Sequence, residues 1–157
     1  MPELREYRPS DFEDLFQLDQ RCFPEAIAYS RPELAHYLRA KAAICLLLCE
    51  GQELLGFILG DVTPRGSGHI VTLDVSPEAR RTGLVTSLIE ALQDRFRALS
   101  CRAILLEVAV NNHTALAFYK KHGFSVLKTL RRYYPGGLDG LLMGKNIAGV
   151  NTKVTKF

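Results

Sequence analysis

A chain of 157 residues with 47% hydrophobic and 24% charged residues has the composition of one ordinary soluble globular domain, and excludes a disordered or fibrous class. A net charge of +3 with no basic cluster interleaved with aromatics argues against nucleic acid as a partner. Apolar runs shorter than the roughly 18 residues needed to cross a bilayer argue against a membrane span.

The four cysteines, Cys22, Cys45, Cys49 and Cys101, form no CxxC pair and have no histidine at ligand spacing, so they read as reduced, packed side chains and no metal is expected. The N-terminal segment lacks the cationic stretch and apolar run of a secretion signal, which makes a cytoplasmic location the expectation. Charge is unevenly spread. Residues 1–63 hold six Lys/Arg against eleven Asp/Glu, a net −5, and residues 64–157 hold fourteen against six, a net +8. That split suits an anionic ligand on the second half and a cationic one near the first, although chance and solvated faces also explain it.

Leu4 to Arg8 alternate apolar and charged residues as a half-buried strand does. Ser10 and Glu13 stand at capping-box spacing before Phe12, Leu15, Phe16 and Leu18, predicting a first helix. Ser30, Pro32 and Glu33 repeat the device for a second helix reaching about Lys41. Two apolar runs, AAICLLLCE and ELLGFILGDV, flank Gly51-Gln52 and predict a β-hairpin with a tight turn. HIVTLDV, from His69 to Val75, predicts a further strand, and GLVTSLIEALQDRFRALS carries a helical apolar face of about four turns.

AILLEVAV, from Ala103 to Val110, is almost continuously apolar, the pattern of a strand buried on both faces. NNHTALAFYKKHGF predicts a short helix stopped at Gly123, with Phe124 placed for the contact that accompanies a glycine C-cap. Two more strands, FSVLKTLRRYY and LDGLLMGKN, join around Pro135-Gly136-Gly137. The order β, α, α, β, β, β, α, β, α, β, β predicts an α/β (α+β) fold: a mixed, mostly antiparallel central sheet with helices on both faces. One domain over residues 1–147 and a flexible tail over 148–157 are expected.

The turn Arg80-Arg81-Thr82-Gly83-Leu84-Val85-Thr86, between a strand and a helix, leaves helix-start N–H groups without intrahelical partners, and Gly83 permits unusual backbone angles. Such a turn suits an anion, although Gly83 also serves simply to start a helix after Pro77. Downstream lie Glu107 in its apolar strand, Asn112 five residues later, Tyr119 twelve residues later, Gly123-Phe124, and Arg131-Arg132-Tyr133-Tyr134. Taken in order, these segments resemble the GCN5-related N-acetyltransferases (GNAT), whose acetyl-CoA signature is Q/R-x-x-G-x-G/A, and within them the ribosomal-protein alanine N-acetyltransferase branch. The resemblance covers most of the chain from His69 to Lys145. Val85 departs from it, standing where the family has Gly or Ala, and so does Arg81, where Gly is common.

The resemblance implies a GNAT fold and roles residue by residue. The turn from Arg80 to Thr86 would take the pyrophosphate of coenzyme A. Leu73, Asp74 and Val75 would pair with the pantetheine arm through their backbone and present an N–H to the thioester oxygen, and Asn112 would hydrogen-bond the same arm. Glu107 would be the general base, Tyr119 the general acid for the departing thiolate, and Tyr133 and Tyr134 would lie with Glu107 at the acceptor. Blander readings stand beside these: Glu107 as a solvated strand end, Tyr119 as a core aromatic, Asn112 as a helix N-cap. His69 reads only weakly as a site residue, since a lone histidine at a strand start is a poor signal, and His122 suits the negative end of a helix.

The expected function is therefore acetyl-CoA-dependent N-acetylation by direct attack in a ternary complex. At pH 7, deprotonating an α-amine costs roughly 1.2 kcal/mol and a lysine roughly 4.6 kcal/mol, so a single modest base suits an α-amine better, and this together with the resemblance at Arg131-Arg132-Tyr133-Tyr134 favours a protein N-terminus as acceptor. A small-molecule amine is the alternative within the class, with loops 23–31 and 135–140 expected to choose between them. A non-catalytic acyl-CoA-binding module is the alternative outside it. The expected assembly is a monomer or homodimer.

Overall fold

The computed structural model describes residues 1–80 and 83–148. Arg81 and Thr82 of the predicted turn, and the expected tail from residue 149 onward, lie outside the described residues.

The elements run β1 (Glu3–Glu6), α1 (Phe12–Cys22), α2 (Arg31–Arg39), β2 (Ile44–Glu50), β3 (Glu53–Val62), β4 (Gly68–Val75), α3 (Leu84–Ala98), β5 (Ala103–Ala109), α4 (His113–Lys121), β6 (Ser125–Leu130) and β7 (Gly140–Asn146). This is the predicted order. The strands make one seven-stranded sheet ordered β1-β2-β3-β4-β5-β7-β6. The pairs β1/β2, β2/β3, β5/β7 and β6/β7 are antiparallel and β4/β5 is parallel, so the sheet is mixed and mostly antiparallel. Consecutive strands make the antiparallel pairs β2/β3 and β6/β7, whereas β1/β2 closes over the two opening helices and β5/β7 over α4 and β6. The parallel pair needs a crossover, which α3 supplies.

Two compact units divide the chain, one of Met1–Asp61 with Val71–Arg95, the other of Val62–Ile70 with the residues from Phe96 onward. In the first, Leu15, Leu18 and Leu34 of the two opening helices pack with Cys45, Leu47, Cys49, Phe57 and Leu59 on one face of the β2-β3 hairpin. Each fully buried Leu or Phe contributes about 2 kcal/mol by leaving water. Gly56, on the other face, comes against Leu88 of α3, so helices cover both faces. The hairpin turns at Gly51, whose φ of +61° glycine adopts without steric cost.

Capping devices at the predicted helix starts fared differently. Ser30 accepts from the Glu33 N–H at 3.2 Å while the Glu33 carboxylate accepts from the Ser30 N–H at 2.8 Å, as the spacing predicts. Ser10 and Glu13 form no such box. A single 3-10 turn, Pro9–Asp11, precedes α1 instead, and the Asp11 carboxylate accepts from the Arg8 N–H at 2.8 Å and from both Arg5 guanidinium nitrogens at 2.9 and 2.8 Å. The cap moved because Arg5 holds Asp11 in place, and Glu13 is drawn to Arg31 and Gln17.

β5 corrects a second expectation. Ile104, Leu106 and Val108 are buried but Leu105 and Glu107 are only partly so, so the strand has one half-open face rather than two closed ones. β2, buried at every position from Ile44 to Cys49, and β3, buried from Leu55 to Gly60, are strands closed on both faces.

Candidate active site

In the second unit, the parallel register of β4 on β5 sets His69 beside Leu105. Side chains alternate along each strand, so His69 shares the half-open face with Glu107, two residues further along β5. Their side chains meet: His69 Nε2 lies 2.8 Å from Glu107 Oε1, with 24% and 22% of the side chains exposed. With Nε2–H donating to the carboxylate, a neutral imidazole keeps its basic nitrogen at Nδ1. The apolar neighbours of Glu107 are thus no anomaly, because they face the core and the carboxylate does not.

The loop between β6 and β7 brings two aromatics to the same strands. Tyr134 donates its N–H to Leu138 O at 3.0 Å, and the Arg132 N–H bonds the Asp139 carboxylate at 2.8 Å, with Arg132 at a φ of +52°. The Tyr133 and Tyr134 rings stand nearly perpendicular, centroids 4.9 Å apart. Both sit over Gly140, where a Cβ would come within 3.2 Å of each ring. Gly140 pairs with Ala109, and Leu142 with Glu107. Burial pushes the Tyr134 phenol above its ordinary range, and the charges of Tyr133 and Glu107 push it further. The shift places Tyr134 within electrostatic reach of Glu107.

Asn112 caps α4, its side chain accepting from the Ala115 N–H at 3.2 Å, so the oxygen is used by the cap and the carboxamide NH₂ is the group that remains to donate. Tyr119 is buried. Its ring stands edge-on to Phe118 and Phe124, at 5.4 and 5.5 Å, which makes it part of an aromatic cluster whatever else it does. Gly123, at a φ of +92°, ends the helix. His122 Nδ1 sits 2.9 Å from Phe118 O.

In the first unit, β4 ends at Leu73, Asp74 and Val75. Arg80 turns its guanidinium back onto this strand end, Nε donating to Val75 O at 3.1 Å, and Cys22 donates to the same carbonyl at 3.4 Å. Gly83 has a φ of +83° and open space where a Cβ would stand. α3 then begins at Leu84, with no acidic residue in its first turn, and Leu84, Val85 and Thr86 are partly buried. A glycine-led helix start, whose first-turn N–H groups have no intrahelical acceptor and which carries no acidic residue in that turn, is suited to an anion.

Among the sequence-predicted residues, the fold therefore groups Glu107, Tyr133 and Tyr134, and adds His69, which sequence reasoning ranked low. The missing signal was strand pairing. Nothing local links residues 69 and 107 until β4 is laid parallel to β5. No cluster of three or more metal-ligating side chains occurs among the described residues.

The sequence profile of the acetyltransferase (GNAT) family matches residues 12–124. An uncharacterized N-acetyltransferase of Methanocaldococcus jannaschii is 40% identical over 94 residues, 59% of this chain and 60% of that protein. An N-alpha-acetyltransferase of Sulfurisphaera tokodaii is 29% identical over 152 residues, 89% of this chain and 90% of that protein. The fold matches the ribosomal-protein-S18-alanine N-acetyltransferase of Escherichia coli with a TM-score of 0.84 at 24% identity, over 94% of this chain and 95% of that one. The profile match across most of the chain carries the conclusion: the protein belongs to the acetyltransferase (GNAT) family and is an acetyl-CoA-dependent N-acetyltransferase.

Proposed function

We propose that the enzyme acetylates the N-terminal α-amine of a protein, with the Glu107–His69 pair as its base. The observation that carries this reading is the 2.8 Å contact between the two side chains on a half-open strand face. A carboxylate in contact with an imidazole is a group able to accept a proton, which supports the reading. The name of the Sulfurisphaera relative supports the α-amine as acceptor.

In this reading the neutral amine attacks the thioester carbonyl, forming the C–N bond. Its proton passes to Glu107, directly or through water, with His69 orienting the carboxylate. Backbone N–H groups of Leu73, Asp74 and Val75 stabilise the oxyanion, the C–S bond breaks, and Tyr119 protonates the thiolate. The turn from Arg80 to Thr86, Arg81 and Thr82 included, takes the pyrophosphate, and Asn112 donates to the pantetheine. Tyr133 and Tyr134 border the acceptor. Residues 1–147 act as one catalytic domain, and the setting is cytoplasmic.

Incubation with acetyl-CoA and a panel of N-terminal peptides and small amines tests the acceptor class. Acetylated peptide α-amines are the expected product. Modification of small amines alone would refute the protein acceptor.

A further inference from the structure

Two carboxyl groups that play no part in the mechanism above meet inside the first unit. Asp19, in the last turns of α1, and Asp74, near the end of β4, are both fully buried. Each spends one oxygen on a neutral donor: the Tyr29 N–H bonds Asp19 Oδ2 at 2.8 Å, and the Thr72 hydroxyl bonds Asp74 Oδ1 at 2.5 Å. The other oxygens, Asp19 Oδ1 and Asp74 Oδ2, have no donor among the described residues, yet the two carboxyls are within hydrogen-bonding reach of each other. Two carboxylates that face one another away from the surface repel each other when both are ionised, and one proton between them removes that repulsion.

We propose that Asp19 and Asp74 share one proton, and that this proton latches segment 23–30 onto β4. Further bonds tie the segment, the end of α1 and β4 to one another. The Tyr29 hydroxyl donates to Val71 O at 3.3 Å, the Cys22 thiol donates to Val75 O at 3.4 Å, and Gln20 Nε2 holds Tyr29 O at 2.8 Å. Asp19 stands at the centre of this set, since it bonds the Tyr29 amide with one oxygen and faces β4 with the other.

The surroundings favour the protonated form. Burial, and then Asp19, raise Asp74 well above the ordinary carboxyl range. The groups facing it from other elements are Cys22 on α1, Cys45 on β2 and Arg80 after β4. Burial pushes both thiols up, with the charge of Asp74 as the next cause, and the Cys22 thiol reaches about 11. Both thiols are therefore neutral at physiological pH, and Arg80 is the cation opposing the effect. Because the folded-state affinity for the proton exceeds that of an exposed aspartate, the latch is complete at low pH. It loosens as pH rises towards the folded-state pKa of Asp74. The consequence for acetyl transfer rests on the reading that loop 23–31 selects the acceptor; the latch itself does not.

The test is amide exchange at Tyr29 from pH 6 to 9, corrected for intrinsic exchange, in the wild type and in Asp74→Asn, whose carboxamide supplies a permanent N–H to Asp19. Wild-type protection should fall by up to about tenfold per pH unit, and the variant should lose that slope. Protection that is independent of pH in the wild type would overturn the proposal. Should the variant fail to fold, the carboxyl carbon resonances of aspartate-labelled wild-type protein decide: a protonated carboxyl at pH 7 is expected, and full ionisation of both groups would overturn the latch. The acceptor KM should rise with pH in step with Tyr29 exchange. A flat KM alongside the expected exchange would refute the acceptor role of the loop and leave the shared proton standing.

Discussion

Gly56→Ala tests whether the backbone at the end of β4 holds the acyl donor. The new Cβ would stand 2.8 Å from the Asp74 carbonyl oxygen and 3.3 Å from both Leu88 Cδ1 and Val75 Cγ2. Side-chain methyls such as those of Leu88 and Val75 can give by a few tenths of an ångström, whereas a strand carbonyl carries its strand with it. The clash is therefore relieved by moving β4 a few tenths of an ångström at Asp74. Overpacking of this kind costs about 1–3 kcal/mol, or about 2–4 °C in Tm for each kcal/mol in a chain of this size. Each hydrogen bond between strand and ligand that loses its geometry costs about 1 kcal/mol, so the Kd for acetyl-CoA should rise about fivefold per bond. Gly68→Ala is the matched comparison. Its Cβ would meet the Phe96 ring at 2.5 to 2.7 Å, a comparable overpacking at the other end of β4. Thermal unfolding and calorimetric titration with acetyl-CoA separate the two: both variants should melt lower, and only Gly56→Ala should bind more weakly. Unchanged affinity in Gly56→Ala, or an equal loss in Gly68→Ala, would refute the role given to Leu73, Asp74 and Val75.

Glu107→Gln should lower kcat by about 10²- to 10⁴-fold, and a rate within threefold of wild type would exclude Glu107 as the base. His69→Gln should lower kcat less, by about tenfold, and an unchanged kcat would reduce His69 to a packing residue. Tyr119→Phe should slow turnover without abolishing it, because proton transfer from tyrosine to a free thiolate is uphill by about 2 kcal/mol; single-turnover kinetics with a thiol-detecting reagent reads this step. Asp11→Asn should flatten the acid side of the stability curve. Arg5 holds the Asp11 carboxyl below its ordinary range, so its contribution is present above the unfolded-state pKa and lost as pH falls through the folded-state one. Urea unfolding between pH 2 and 6 checks the slope, which has the opposite sign to that expected of Asp74.

Where the deciding interactions lie within a few residues, reading was direct. Ser30 with Glu33, Asn112 with Ala115, and the positive φ of Gly51 and Gly123 all span four residues or fewer, and they mark element ends in the structure as they do in the chain. Ser10 is not the cap because Asp11, the residue used in its place, is held by Arg5 from the preceding strand. The half-open face of β5 is not legible in the chain because an apolar run does not say which of its faces a neighbour covers.

The order of elements, the hairpin, the turn before α3 and the spacing of Glu107, Asn112 and Tyr119 belong to the sequence alone, since local backbone preference and apolar period act over a few residues. The partnership of His69 with Glu107, separated by 38 positions, and that of Asp19 with Asp74, from α1 and β4, were decided only by tertiary structure. Parallel pairing and helix docking bring together groups whose electrostatics have meaning only at contact distance, and no local pattern encodes a contact that the chain must close a long loop to make.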